Sequence, residues 1–142
     1  MELHPALVHF PLVLLPLSAA IDLIARPLAR REWHSLSFAI LVAGTLFAIG
    51  AVVSGNDAAV AHRGDAPIAM LIERHEDWAT ASLLFFLGIT LGRLPFQLQG
   101  RDPRIWAVAA LAASLVMWIA AYFGGELVYD HGVGVSDAAT AG

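Results

Sequence analysis

Four separated runs of apolar residues, each long enough to cross a bilayer, constrain this chain more than any other feature. They cover about residues 7–25, 36–55, 78–94 and 105–124. Hydrocarbon about 30 Å thick needs roughly 20 such residues as helix. Lipid cannot satisfy an open backbone, so each run must close its hydrogen bonds within itself as a helix. The expected fold is an all-α, integral membrane four-helix bundle. It occupies one domain over residues 1–135, with a mobile tail at 136–142 (SDAATAG). Composition agrees: 58% of residues are hydrophobic and 14% charged, where a soluble domain has about a quarter charged.

The arginines orient the bundle. There are eight, with no lysine. Arg26, Arg30, Arg31, Arg93, Arg101 and Arg104 fall beside the 1–2 and 3–4 connections, whereas only Arg63 and Arg74 fall on the face shared by the termini and the 2–3 connection. Positive charge stays on the cytoplasmic side. Both termini are therefore expected outside, in the periplasm of an inner-membrane protein. The first run has no basic segment before it and reads as a retained helix, not a cleaved leader. Trp33 and Trp106 should anchor the inner interface, Trp78 and Tyr129 the outer. Asp22 stands one turn before Arg26, the spacing of a helical ion pair. Pro11 and Pro16 should bend the first helix. Gly44, Gly50, Ala51 and Gly55 give the second a small side for close packing.

Several chemistries are excluded. The net charge of −4 argues against a nucleic-acid partner. With no cysteine there is no disulfide, thiolate-held cluster or covalently attached haem. No phosphate-binding glycine loop or nucleophile elbow is present. Nor are the inverted repeats of a secondary transporter.

This topology gathers the histidines. His4, His9, His62, His75 and His131 fall on the outer face with nine of the twelve acids, leaving only His34 on the inner. Depth follows from about 1.5 Å of rise per residue. Counted from Arg26 for His9 and from Arg93 for His75, both sit roughly 26 Å from the inner boundary. Glu126 comes out at roughly 33 Å and His131 at roughly 40 Å. The first and third helices of an up-down bundle are diagonal. His9 and His75 thus form a depth-matched pair that could face each other across the bundle. An intramembrane histidine is a candidate functional residue because its burial is costly. A boundary histidine can equally cap a helix or meet interfacial water.

Two segments carry a resemblance: HPALVHFPLVLLPLSAAIDL at the start and GGELVYDHGVGV near the end. They resemble the bacterial four-helix membrane family known as domain of unknown function 2231, over about residues 3–135. By position the family's histidines correspond to His9, His75 and His131, with Glu126 in the glycine-rich closing motif. Such domains look distantly like the four-helix membrane cytochromes b, and similar domains occur joined to Rieske or cytochrome c modules. The resemblance therefore implies haem b and electron transfer at the outer face. Cytochromes b often carry haems near both faces, whereas this chain has no intramembrane histidine pair on the inner side and could hold only one.

Three functions compete. In the first, one haem b is ligated by His9 and His75, with His131, Arg74 or the Gly124–Gly125 backbone meeting its propionates or admitting a quinol. Electrons would then pass between quinol and a periplasmic electron-transfer protein. In the second, His9, His75, His131 and Glu126 hold a copper, iron or zinc ion. In the third, the chain is a structural or assembly subunit without a prosthetic group. Besides the lipid bilayer, a second copy in a homodimer or a larger membrane complex is a candidate partner.

Overall fold

A computed structural model describes residues 4–25, 31–60, 64, 66–101 and 103–133. The described residues form five helices: α1 (His4–Leu7), α2 (His9–Ala25), α3 (Arg31–Val60), α4 (Ala66–Leu98) and α5 (Ile105–Tyr129). Only Val8 separates α1 from α2, and its N–H still returns to the His4 carbonyl at 3.1 Å, so the two make one span. Four stretches are thus long and apolar enough to cross a membrane, as the hydropathy predicts. Arg26, His62 and the 136–142 tail lie outside the described residues.

Helix α2 continues through Pro11 and Pro16, and α4 runs through Pro95; the one interruption of the first span among its described residues is at Val8. Helix α4 closes at Gly100, where φ is +65°. There Arg101 N–H bonds the Phe96 carbonyl at 2.9 Å and Gly100 N–H the Gln97 carbonyl at 3.0 Å, a Schellman stop that glycine permits.

The helices form a ring in which α2 packs on α3 and α5, and α4 packs on α3 and α5. The diagonals, α2 with α4 and α3 with α5, make no close backbone contact among the described residues. Small residues set the approach. A Cβ placed on Gly44 would fall 2.7 Å from Leu15 Cδ2, so α3 can press on α2 only with glycine there. Large side chains such as Val13, Leu46, Leu91 and Leu115 face outward, into what would be lipid. The core holds Leu15, Leu41 and Phe86, each with no exposed surface, together with Ala48, Ala110, Ala113 and Met117. This layer closes the middle of the bundle. A second apolar cluster of Ile68, Ile72 and Leu127, with Ala59, Leu71 and Val133 against it, lies towards the end that carries His4 and His75.

The Trp106 ring packs into the space left by Gly92, where a Cβ would fall 2.5 Å from Cη2. Tyr129, by contrast, is 89% exposed.

Candidate functional site

Each end of the bundle holds one polar constellation, and each joins the first span to α4 across the diagonal.

At one end Arg93 of α4 reaches Asp22 of α2. Its Nη1 and Nη2 both donate to the carboxylate, Nη2 to Oδ1 at 2.9 Å. His34 Nδ1 donates to the same Oδ1 at 3.0 Å. Nη1 also donates to Ser37 Oγ and Nη2 to the His34 carbonyl, each at 3.2 Å. Ser37 passes its own proton to the Ser18 carbonyl at 2.9 Å. Arg93 lies 5.6 Å above the Phe38 ring. Asp22 and Arg93 are only 1% and 2% exposed, and a buried charge is tolerable only when paired and hydrogen-bonded. The expected Asp22–Arg26 pair involves Arg26, which lies outside the described residues. Among the described residues the carboxylate is met by Arg93, far along the chain, and by His34.

At the other end the partner of His75 is His4. The ring centroids are 6.2 Å apart and the planes nearly perpendicular, at 83°. His75 Nδ1 lies 2.9 Å from the Ala120 carbonyl of α5. His4 Nδ1 lies 2.8 Å from the Ala51 carbonyl of α3 and 3.4 Å from Ser54 Oγ. A carbonyl only accepts, so Nδ1 carries the proton in both rings. Metal-binding histidines are typically oriented by this kind of bond. Glycine makes room for each ring. A Cβ on Gly55 would fall 2.7 Å from His4 Cε1, and one on Gly124 would fall 2.9 Å from His75 Cε1.

The apolar cluster roofs this pair. Ile72 precedes His75 by one turn, and Leu127 follows Gly124 by one turn. Beyond them Gly132, at φ +66°, turns the chain so that Val133 N–H reaches the Leu127 carbonyl at 3.0 Å. Val133 then packs back on the cluster. The histidine pair thus has an apolar cluster about one turn from it.

The other sequence-derived candidates are distributed around this centre. His9 is exposed, with Nδ1 donating to the Pro5 carbonyl at 2.6 Å; it does not meet His75. Arg74 and His131 are exposed, while Glu126 and Gly125 are half-buried. Gly124 is in contact with the His75 ring; a Cβ on Gly125 would lie 4.0 Å from Tyr129. The four-ligand set of His9, His75, His131 and Glu126 does not assemble, and no group of three histidine or acidic side chains suited to a metal ion occurs among the described residues. Depth alone cannot tell which side of a helix a residue occupies. His4 is the residue that the depth argument misses. Its signal is in the sequence: it precedes Asp22 by a whole number of helical turns, about five, which places both on one face.

No curated protein and no solved structure matches the chain. Four membrane-length helices and the paired terminal motifs agree with a family model described as "Predicted membrane protein (DUF2231)", which matches residues 1–137, and the chain belongs to that family.

Proposed function

We propose that this protein is a membrane-embedded redox subunit that holds one haem b between His4 and His75. In this reading it passes electrons between a membrane quinol and an acceptor at the periplasmic surface. The observation that carries the reading is the His4–His75 pair, with both Nδ1–H groups committed to backbone carbonyls of the flanking helices.

The donor set fits the group. With metal–nitrogen bonds of about 2.0–2.1 Å, two imidazoles on opposite sides of one ion have centroids about 6.4 Å apart. At a tetrahedral angle the separation falls to about 5.2 Å. At 6.2 Å the two rings are near enough that His4 and His75 would hold one iron between them. The residues against the rings are small: Ala51, Ser54 and Gly55 on α3, Ala120 and Gly124 on α5. Haem b bound there would supply one-electron redox chemistry. His4 and His75 would hold it, and the carbonyls of Ala51 and Ala120 would orient the imidazoles and raise their basicity. The cap of Ile68, Ile72, Leu127 and Val133 would limit water, which with axial ligation governs potential. The sealed middle layer of Leu15, Leu41 and Phe86 favours a redox role over solute conduction.

One observation favours a second reading. No group of three or more metal-ligating side chains occurs among the described residues, and a pair of imidazoles also suits a single copper ion. Absorption spectra of the detergent-purified protein, oxidised and dithionite-reduced, together with elemental analysis, test both. A Soret band that sharpens and shifts on reduction, with about one iron per chain, is expected. A colourless sample with one copper per chain would replace haem by copper, and a sample with neither metal would overturn the redox assignment.

A further inference from the structure

The turn that carries His4 is the least secured part of the first span. Helix α1 holds no buried residue, and a single helical turn gains little from its own backbone. Its ladder to α2 is interrupted at Val8. Val8 N–H reaches the His4 carbonyl at 3.1 Å, and Leu12 N–H reaches the Val8 carbonyl at 3.4 Å. Pro11 has no N–H to give.

His4 nevertheless has to keep the helical phase of α2 to meet His75. It shares an inward face with Asp22 over about five turns, and a twist at Val8 would carry the ring off that face. The contacts of α1 with α3 do not set this phase alone. His4 Nδ1 donates to the Ala51 carbonyl at 2.8 Å, and Leu7 Cδ1 lies 3.7 Å from where a Cβ on Gly50 would sit. Neither contact ties α1 to α2.

His9 makes that tie. It opens α2, and its Nδ1 donates to the Pro5 carbonyl at 2.6 Å. The bond runs from the first residue of α2, across the interruption, to the residue that follows His4. A histidine on the exposed side of a span is otherwise unexpected, because ionisable side chains there nearly always face inward. An interrupted helix leaves carbonyls in need of donors that lipid cannot supply, and the imidazole supplies one from the side.

We infer that His9 is a positioning residue that clasps α1 to α2 and so holds the His4 ring against His75. The inference deepens the haem reading and rests on it for its purpose. The clasp itself needs no cofactor.

The test uses the full chain in lipid nanodiscs, labelled with ¹⁵N-histidine, as wild type, His9→Phe and His9→Asn. Phenylalanine keeps a flat ring without a donor, whereas asparagine carries an amide N–H as many bonds from the backbone as Nδ1. In cofactor-free protein the His4 Nδ1–H signal, assigned by its loss in His4→Gln, should move in His9→Phe and return in His9→Asn. The His34 signal at the far end should stay fixed throughout. In haem-loaded protein, all three forms should keep the low-spin band. Transfer of haem to excess apomyoglobin should be about fivefold faster from His9→Phe, the loss of one ordinary hydrogen bond. An unmoved His4 signal in His9→Phe, or no rescue by His9→Asn, would overturn the clasp. So would a displaced His34 signal, which would make the effect general to the bundle, or loss of the low-spin band, which would make His9 a ligand. A colourless wild-type protein whose His4 signal still moves in His9→Phe would remove the haem reading and leave the clasp standing.

Discussion

Arg93 follows His75 on α4 by about five full turns, so both lie on one inward stripe about 27 Å from end to end. Asp22 follows His4 by the same interval along the first span. Two diagonal helices that make no close backbone contact are therefore tied at both ends, by an ion pair at one and by paired imidazoles at the other. Between the ties Leu15 and Phe86 fill the core, and the buried Ser18 and Ser82 donate to carbonyls of their own helices.

The ion pair is the stronger tie. Removing one member of a buried pair strands the other charge and costs about 3–5 kcal/mol, whereas replacing both with apolar residues is often neutral. Asp22→Leu should destabilise the bundle by that amount, measured as a lower midpoint in dodecyl sulfate unfolding. The double variant Asp22→Leu/Arg93→Met should recover most of the loss. Equal midpoints for the single and double variants would show that the pair is not the tie described.

Ser37 is 0% exposed and carries two bonds, donating to the Ser18 carbonyl and accepting from Arg93. Ser37→Ala leaves Arg93 with one acceptor fewer in a dry site, a cost of about 1–3 kcal/mol. Ser35 is exposed on the same helix and bonds Gln97. Ser35→Ala is expected to change the same unfolding midpoint by less than about 0.5 kcal/mol, and the contrast between the two variants is the readout.

Much of this is legible in the sequence, and the boundary is physical. Bilayer thickness dictates the four spans, which hydropathy finds in number and order. The excess length of α3 and α4, at 30 and 33 residues, is not legible, because their ends leave the hydrocarbon and pack as ordinary amphipathic helix around Ile68 and Ile72. His75 can be found because height along a helix follows from counting residues. His4 escapes a reading that counts height but not azimuth. The step from His4 to His9 advances about 500°, or roughly 140° net, so if His4 faces inward, His9 faces away. The buried Asp22 marks the inward side and selects His4. Proximity in sequence points Asp22 to Arg26, and the bond from Arg93 at the far side of the bundle becomes legible only once the helices are packed.

The glycines beside the histidines give a sharp test of the pair. Gly124→Ala places a Cβ 2.9 Å from His75 Cε1, closer than van der Waals contact permits, so the ring must leave the Ala120 carbonyl or α4 must move from α5. Overpacking of this kind costs about 1–3 kcal/mol. Gly88, on α4, has open space where its Cβ would project, so Gly88→Ala gains helix propensity of about 1 kcal/mol without a clash. Gly124→Ala should lower the unfolding midpoint and weaken retention of the proposed haem, whereas Gly88→Ala should lower neither.

The final prediction separates the three N-terminal and α4 histidines by spectrum. In the proposed haem protein, His4→Ala or His75→Ala removes one axial ligand and should give a high-spin or haem-free product, with at least a tenfold loss of the low-spin reduced band. His9→Ala should retain that band, because its ring faces away from the pair. Ala51 and Ala120 supply only backbone carbonyls to the two rings, so Ala51→Ser and Ala120→Ser should also retain it. Loss of the low-spin band in His9→Ala but not in His4→Ala would restore His9 as the ligand and require α1 and α2 to turn about Val8 when the cofactor binds.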